Sequence, residues 1–415
     1  MLPLVKTSKT DLEKYSGLVP DKMLSEIRSL SRDLKGLKVF LVNATPRGGG
    51  VAEILKSLVP LMKGVGLDAQ WYVVPPSNRF LAITKKIHYA LQGADYSFPF
   101  IDRKIFLQYT AKIAELMQDM KPDIWLVHDP QPAGVVCFLP KFHPSILRLH
   151  MDLKKPDEEV WKFVAGFLED YDKVVVTSKE FIKSEIKEKA VVIPPAIDPF
   201  AEKNQPLDIF TAKKILKSFG ININKPLISQ VGRFDPLKDP HGVIEAYKIA
   251  KKKIPGLQLV FLGLFLAVDD PEAIKVYRDV KRYVGNDPDI FLFANPELLG
   301  SLRVDTFVRA IQTASDVIVQ KSVREGFGIT VTEAMWKEKA VIGGNVGGIK
   351  LQIENSKSGF LVSSPKEAAK KIVQLIENPS LAKELGKEAK KRVRDNFLMP
   401  RLLRDYLRLF KELVQ

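Results

Sequence analysis

Short apolar runs alternate with amphipathic segments from about residue 37, and this alternation predicts the secondary structure. The runs are rich in β-branched and aromatic residues, which favour strands. In the first half they lie at Val39–Asn43, Gln70–Val74, Ile124–Val127, Ile146–Leu149, Lys173–Thr177 and Val191–Ile193. Helical spacing of apolar residues separates them, for example at Val51–Val65, Ile105–Met120 and Glu158–Leu168. Continuous apolar strands alternating with helices indicate a parallel sheet covered on both faces.

A second series follows a proline-rich break at Pro194–Pro199 and a polar stretch with one short helix, Ile209–Phe219. Its strands are predicted at Leu227–Val231, Leu257–Leu262, Ile290–Phe293, Val317–Val319, Val341–Ile342 and Phe360–Val362. Two such sets predict an α/β protein of two doubly wound, Rossmann-like domains joined near residue 200, facing each other across a cleft. Ligands of such sheets bind beyond the carboxyl ends of the strands, so residues there are the candidates for function.

Both ends of the chain are predicted to be helical. Residues 1–36 show helical spacing and no strand. The tail predicts helices at Ala368–Ile376, Leu381–Phe397 and Leu402–Leu413, the last with a wide apolar face that must pack against a partner. Pro60 lies inside the first helix of the α/β pattern, and we expect a kink there because proline lacks an amide hydrogen.

Composition favours a soluble, cytoplasmic globular protein. At 415 residues, 46% hydrophobic and 27% charged, the chain is long enough for two cores. It has no apolar run of about 18 residues, as a membrane span requires, and no signal-peptide pattern at its start. The single cysteine, Cys137, is flanked by Val136 and Phe138 and is expected to be buried.

The net charge of +15 raises the alternative of a polyanion-binding protein. The basic residues are spread through helical patterns that also carry glutamate, and no basic stretch is interleaved with stacking aromatics. Solvated helix faces therefore explain the charge better than a nucleic-acid or membrane surface. Abundant Lys and Glu with one Cys is also typical of thermophile proteins.

The stretch from Lys321 to Trp336 concentrates candidate chemistry. A strand leads into a Gly-Phe-Gly turn, Gly326–Gly328, and a helix is predicted to begin at Ile329 or Thr330. Glu325 and Glu333 lie on either side of this turn. A glycine turn at a helix N-terminus favours an anionic ligand, while paired acids favour hydroxyl groups. A sugar nucleotide carries both kinds of group.

Two further loops follow strand ends. Gly48-Gly49-Gly50 follows the first strand, and a ligand loop and a structural turn are equally good explanations of this cluster. It matches neither a dinucleotide fingerprint nor a Walker loop. In the second series, Arg233 and Lys238 follow a strand and are suited to a diphosphate, although a surface salt bridge to Asp235 or Asp239 is the alternative.

Polar residues also end two strands of the first series. His150 stands between Arg148 and Asp152 after the fourth strand, and Asp129 and Gln131 follow His128 after the third. We expect either ligand contact or a structural role here. The remaining histidines show no metal-ligand spacing, and Asp287-Pro-Asp289 precedes a strand, so no metal is expected.

Hydrolase chemistry fits poorly. The sequence has no Gly-x-Ser-x-Gly motif and no Cys–His pair. Glu325 and Glu333 could form a glycosidase pair, yet one is predicted on a turn and the other on the following helix, which suits ligand recognition better.

Several motifs occur together in the order of a known family. They are Gly49-Gly50, Pro194-Pro195-Ala-Ile-Asp198, Gly232-Arg233-x4-Lys238, and Glu325 with Glu333 eight residues on. Together they resemble the retaining glycosyltransferases of family 4, which have the GT-B fold, and the resemblance covers residues 37–415. The segments 148–152 and 128–132 make the chain similar to the archaeal trehalose glycosyltransferring synthases. These enzymes join the glucose of a nucleoside-diphosphate glucose to free glucose.

On the donor side, the resemblance implies a role for each matched residue. Arg233 and Lys238 would bind the diphosphate and stabilise the leaving nucleotide. Glu325 would bond donor-glucose hydroxyls, beside the backbone of Gly326, Phe327 and Gly328. Glu333 would hold the ribose. The donor would be UDP-, ADP- or GDP-glucose, and such enzymes generally need no metal or other cofactor.

For the rest of the chain, the resemblance implies that Gly49 and Gly50 approach donor and acceptor, and that His150 touches the donor glucose. Weaker acceptor candidates are Arg148, Asp152, Asp129 and Gln131. The domains would be 1–200, on the acceptor side, and 201–399, on the donor side, with a helix at about 400–415 packing back on the first. Partners would be small sugars and nucleotides, with a homodimer left open.

Three enzyme hypotheses share this scaffold: a reversible trehalose-forming glucosyltransferase, a trehalose phosphorylase, and a transferase to another sugar acceptor. A non-enzymatic nucleotide-sugar or polyanion-binding protein is the alternative of a different class. With no evident carboxylate nucleophile, we expect same-face substitution, in which the leaving phosphate helps deprotonate the acceptor.

Overall fold

The computed structural model describes residues 1–139, 141–264 and 272–415. The chain forms two compact units, one of residues 1–196 with 398–415 and one of residues 197–397. Each unit contains its own sheet with helices packed against it, as the alternating pattern predicts.

The first unit is built on a seven-stranded sheet of order β1-β3-β2-β4-β5-β6-β7. The strands are β1 Leu4–Val5, β2 Lys38–Asn43, β3 Asp68–Val73, β4 Ile124–His128, β5 Ser145–Arg148, β6 Lys173–Val176 and β7 Ala190–Val192. The helices are α1 Asp21–Asp33, α2 Gly50–Gly64, α3 Asn78–Leu91, α4 Phe100–Met117, α5 Pro130–Ala133 and α6 Glu158–Leu168. All neighbouring strands are parallel except β1, and both faces of the central strands are buried.

The prediction that residues 1–36 lack a strand is wrong. Leu4 and Val5 pair antiparallel with Tyr72 and Trp71 of β3. Two residues are too few for an apolar alternation, so only pairing to a long neighbouring strand reveals them. Helix α2 continues through Pro60 to Gly64, and the Pro60 carbonyl accepts a hydrogen bond from the Thr10 amide.

Cys137 is exposed, which corrects the expectation that it is buried. It lies in a short 3₁₀ helix, Gly134–Phe138, in which Val135 and Val136 are buried whereas Cys137 and Phe138 face solvent. Apolar neighbours in sequence do not share a face of a helix, so they say little about where Cys137 points.

The second unit contains a six-stranded parallel sheet of order β10-β9-β8-β11-β12-β13. Its strands are β8 Leu227–Val231, β9 Gln258–Leu262, β10 Ile290–Phe293, β11 Val317–Gln320, β12 Ala340–Gly344 and β13 Phe360–Val362. Its helices are α7 Ile209–Ser218, α8 Pro240–Lys251, α9 Glu272–Val284, α10 Val304–Ala314, α11 Ile329–Trp336, α12 Gly347–Gln352, α13 Pro365–Glu377 and α14 Pro379–Asn396.

The last helix, α15 at Met399–Val414, belongs to the first unit. Its apolar face is buried. Hydrogen bonds from one arginine on α15 and one arginine on β5 hold the helix against the rest of the unit. Arg401 donates to the carbonyls of Pro194 and Pro195 at 2.7 and 2.8 Å, and Arg148 of β5 donates to the Tyr406 hydroxyl at 2.7 Å. Among the described residues, no helix is long and apolar enough to cross a membrane.

Candidate active site

Strands β8 and β11 adjoin each other at the point where the second sheet reverses direction. From β8 the chain proceeds outward through β9 and β10, then returns to place β11 on the other side of β8. In doubly wound sheets this switch point opens a crevice at the carboxyl ends of the strands. Arg233 and Lys238 follow β8, and Glu325 follows β11, so the topology brings together residues nearly ninety apart in sequence.

Lys238 and Glu325 form a direct ion pair, with 2.7 Å between Nζ and Oε2 and each side chain about 15% exposed. The Ser322 hydroxyl donates to the same carboxylate oxygen at 3.2 Å. Gly232 has a φ of 153°, and a Cβ there would lie 3.2 Å from Lys238 Cδ. The backbone conformation therefore favours glycine beside this lysine, and an added Cβ would press on the lysine side chain.

The Gly-Phe-Gly turn holds Glu325 against the start of α11. The helix begins at Ile329, as the sequence predicts, and Gly328 precedes it with a φ of 84°. A Cβ on Gly328 would lie 3.1 Å from Glu325 Cγ. Two independent requirements therefore select glycine here: a left-handed backbone and close approach to the carboxylate side chain.

A second glycine loop, which the sequence analysis did not single out, supports this turn. The Gly348 amide donates to the Glu325 carbonyl at 2.9 Å. A Cβ on Gly348 would lie 2.3 Å from Phe327 Cα, and one on Gly344 would lie 2.1 Å from the Ser322 carbonyl oxygen. The signal that reveals this loop is a pair of Gly-Gly steps, one ending β12 at 343–344 and one beginning α12 at 347–348.

Glu333 is held separately from Glu325. It is only 1% exposed, and its Oε1 lies 2.7 Å from Nζ of Lys203, a residue that the sequence analysis missed. Lys337, one helical turn further on, is also buried, and burial lowers its pKa to about 8 while the Glu333 charge partly opposes that shift. The two glutamates thus have different lysine partners, which disfavours a cooperating glycosidase pair.

Arg233 lies at the same strand end but is more loosely held. One guanidinium nitrogen lies 3.6 Å from the Asp235 carboxylate, and the side chain is about one-third exposed. Asp235 also accepts a hydrogen bond from the Leu237 amide at 2.9 Å, which shapes the loop that carries Lys238. Asp239 pairs with Lys321 and caps α8. The Arg233 guanidinium is thus partly exposed at the strand end, beside the carboxylate of Asp235.

In the first unit, the Gly48–Gly50 loop connects β2 to α2, beside the switch between β2 and β4. Gly48 has a φ of 84°, so a turn explains that glycine. A Cβ on Gly49 or Gly50 would meet no heavy atom of the described chain within 4 Å. Packing of the described residues does not require glycine at these two positions, and this favours the ligand-loop hypothesis for them.

The adjacent ends of β4 and β5 place two histidines in contact. Nδ1 of His128 lies 2.9 Å from Nε2 of His150, and the ring planes are 22° apart, so the two rings are nearly coplanar and meet edge to edge. Asp129, with a φ of 66°, accepts a hydrogen bond from the His150 amide at 2.9 Å. Burial, reinforced by the Arg148 charge, lowers the pKa of His128 to about 3, and the same causes hold the pKa of His150 well below its usual value.

Arg148 has a structural position. It is 1% exposed and donates to the Tyr406 hydroxyl and, at 2.9 Å, to the Ile193 carbonyl. The sequence placed it among acceptor ligands because it precedes His150, but its guanidinium is already bonded to α15 and to the Ile193 carbonyl. Asp152 is likewise buried, and its carboxylate accepts from the Lys154 amide at 2.9 Å. Gln131 lies in α5 and is partly exposed.

Asp287 and Asp289 are both bound by Lys251, at 2.9 and 3.0 Å. In residues 1–139, 141–264 and 272–415, no group of three or more His, Cys, Asp or Glu side chains is arranged to hold a metal ion.

The chain is similar to known proteins over most of its length. Residues 41–183 match the family model described as "Trehalose synthase, N-terminal domain", and residues 211–392 match "Glycosyl transferases group 1". A trehalose synthase of Thermococcus litoralis is 43% identical over 400 residues, covering 96% of each chain. A trehalose phosphorylase of Pleurotus pulmonarius is more distant, at 29% identity over 85% of this chain and 54% of its own length.

The solved structures agree on the fold. An α,α-trehalose-phosphate synthase (UDP-forming) from Burkholderia xenovorans superimposes with a TM-score of 0.72 over 90% of this chain and 99% of its own, at 11% identity. The architecture of two Rossmann-like domains is thus that of the GT-B glycosyltransferases. With near-complete coverage at 43% identity, the chain belongs to the trehalose synthase family of glycosyltransferases.

Proposed function

We propose that the protein transfers glucose from a nucleoside-diphosphate glucose to free glucose, reversibly and with retention, and so forms α,α-trehalose. The observation that carries the proposal is the 43% identity to a trehalose synthase over 96% of both chains. A nucleoside-diphosphate glucose needs a cation for its diphosphate and an acceptor for its sugar hydroxyls. Lys238 and Glu325 offer these two groups side by side, next to glycine turns.

The second unit, on this proposal, binds the donor. Lys238 and Arg233 contact the diphosphate, and their positive charge stabilises the leaving nucleotide as the sugar becomes oxocarbenium-like. Lys238 also neutralises Glu325, so a carboxylate can lie next to a phosphate site without strong repulsion. Glu325 accepts hydrogen bonds from glucose hydroxyls, and Glu333 accepts them from the ribose.

The first unit supplies the acceptor side. Gly49 and Gly50 allow close approach of ligand to backbone, and His150 contacts the donor glucose. Asp129, Gln131 and Asp152 remain acceptor candidates, of which Asp129 and Gln131 are partly exposed and Asp152 is buried. The proposal leaves Arg148 out, because its donors already bond Tyr406 and Ile193.

The reaction proceeds on one face of the sugar. The bond from the anomeric carbon to the diphosphate oxygen breaks, and the bond to the glucose hydroxyl oxygen forms on the same side. The departing phosphate oxygen takes the hydroxyl proton. Glu325 and Glu333 serve as hydrogen-bond acceptors, since each is already paired with a lysine, and no covalent intermediate or cofactor takes part.

The decisive experiment offers the purified protein UDP-, ADP- or GDP-glucose with ¹³C-glucose, glucose 6-phosphate or inorganic phosphate, and identifies the products by NMR. Labelled α,α-trehalose from free glucose is the expected product, and trehalose with the nucleoside diphosphate should regenerate the donor. Absence of any glucosyl disaccharide with free glucose rules the proposal out.

The same assay, run also with trehalose and inorganic phosphate, separates the alternatives. Formation of glucose 1-phosphate from trehalose and phosphate, without nucleotide, indicates a phosphorylase, the second candidate, which the more distant fungal similarity favours. Product only with another sugar indicates a different acceptor. Salt-sensitive binding of nucleic acid with no sugar transfer indicates a polyanion-binding protein.

A further inference from the structure

The His128–His150 contact determines where His150 carries its proton. A hydrogen bond of 2.9 Å between Nδ1 of His128 and Nε2 of His150 needs one proton between the two nitrogens. Either His128 donates from Nδ1–H, or His150 donates from Nε2–H. The two arrangements present different ring atoms of His150 to a ligand.

The surroundings of His128 favour the first arrangement. His128 is 1% exposed, and its Nε2 has no hydrogen-bond partner among the residues that the structure describes. A buried N–H without an acceptor is rarer in proteins than a buried lone pair without a donor. His128 therefore carries its single proton on Nδ1. The lowered pKa of both rings agrees with a neutral pair that shares one bonding proton.

From this geometry we infer that His128 is a positioning residue. It does not contact the substrate, but it keeps His150 in the Nδ1–H tautomer. His150 Nε2 then accepts from His128, and its Nδ1–H is the ring donor that His128 leaves free. The inter-ring hydrogen bond and the Asp129 carboxylate, which accepts from the His150 amide, hold the orientation. The inference rests on the proposed contact of His150 with the donor sugar, where it provides a hydrogen-bond donor to a hydroxyl oxygen.

The tautomer can be measured without any sugar. Selective ¹⁵N labelling of histidine rings gives five spin systems, one for each histidine in the chain. Long-range ¹H–¹⁵N correlation shows which ring nitrogen is protonated, and His128→Asn and His150→Asn spectra assign the pair. We expect His150 and His128 both to be protonated at Nδ1. Protonation of His150 at Nε2 overturns the inference.

Two substitutions then test the positioning role. The variant His128→Phe keeps a ring at this position but removes the hydrogen-bond donor. His150 should then gain the Nε2–H form that isolated histidine prefers. We expect kcat/KM for transfer to fall about 10-fold, as for one lost hydrogen bond. In His128→Asn the side-chain amide can replace Nδ1–H, so tautomer and rate should largely return. His143→Asn, at an exposed pair with Asp172, is the matched control and should change neither.

The outcomes separate this inference from the proposed function. If the His150 tautomer changes in His128→Phe while transfer stays at the wild-type rate, the positioning role is wrong although transferase activity stands. If neither tautomer nor rate changes, the inference also fails. If the tautomers are as expected but no sugar pair supports transfer in the wild type, the proposed function fails, whereas control of His150 by His128 survives.

Discussion

Lys238 Nζ lies 2.7 Å from Glu325 Oε2, although the two residues belong to loops that follow different strands. The pair is partly buried, so its attraction is screened less than that of a surface ion pair. It also joins the residue expected to bind phosphate to the residue expected to bind sugar. Loss of either partner leaves the other's charge uncompensated at the same place.

Lys238→Ala should reduce transfer about 100-fold, the usual effect of removing one group that stabilises transition-state charge. The loss should appear mainly in kcat, since charge on the diphosphate grows as the bond breaks. Steady-state kinetics with saturating donor tests this. Lys217→Ala, at an exposed position on α7, is the control. Near-normal turnover in Lys238→Ala would remove it from the phosphate site.

Glu333→Ala should weaken nucleotide binding by roughly 1–3 kcal/mol, as expected for loss of a charged acceptor in a buried position. Isothermal titration with the nucleoside diphosphate measures this directly. Lys203→Ala should have a similar but smaller effect, because it frees the Glu333 carboxylate from its 2.7 Å partner and lets it reorient. Unchanged affinity in Glu333→Ala contradicts the ribose role.

Gly328→Ala should lower both stability and transfer. The left-handed backbone costs roughly 1–2 kcal/mol for a residue with a Cβ. The added carbon would also lie 3.1 Å from Glu325 Cγ and displace that side chain. Gly220→Ala is a close control, with a φ of 80° but no heavy atom of the described residues within 4 Å of the added carbon. Chemical unfolding should show the backbone cost in both variants, whereas only Gly328→Ala should lose transfer. Equal activity of the two would show that Glu325 is not displaced.

Lys337→Met should stabilise the protein at pH 7 by up to about 3 kcal/mol, with the gain shrinking as pH rises. Burial lowers the folded-state pKa of Lys337 to about 8, below its unfolded value of 10.5. Between these values the unfolded chain binds more protons than the folded chain, so wild-type stability gains a contribution as pH increases. Urea unfolding of both proteins at pH 7, 8.5 and 10 measures the difference. A pH-independent difference would mean that Lys337 stays charged.

Tyr406→Phe should reduce the free energy of unfolding by about 1–3 kcal/mol, because buried Arg148 loses a hydrogen-bond partner. The KM for glucose should not change if Arg148 attaches α15 and does not bind the acceptor. Unfolding by urea and acceptor kinetics on the same preparation check both parts. A raised KM in a protein of unchanged stability would return Arg148 to the acceptor site.

The order of strands and helices could be predicted from the periodicity alone, since buried parallel strands and amphipathic helices require different spacings of apolar residues. Each predicted strand overlaps an observed one, and α6 is found at its predicted bounds, Glu158–Leu168. The start of α11 at Ile329 was predictable because the preceding glycine turn marks it. The two-residue strand Leu4–Val5 was not predictable, because it depends on a partner strand distant in sequence. The exposure of Cys137 was not predictable either, because apolar neighbours in sequence do not share one face of the short helix.

The candidate site likewise has a part that the sequence predicts and a part that only the fold determines. Residue type and position after a strand were enough to select Arg233, Lys238, Glu325 and Glu333, because glycine turns and clustered charges at strand ends are local signals. Which charges meet is a property of strand order and side-chain direction. Pairing of Lys203 with Glu333, contact of His128 with His150, and burial of Arg148 under α15 bring together residues from different elements. No local pattern records those contacts, since they arise only when the sheets assemble.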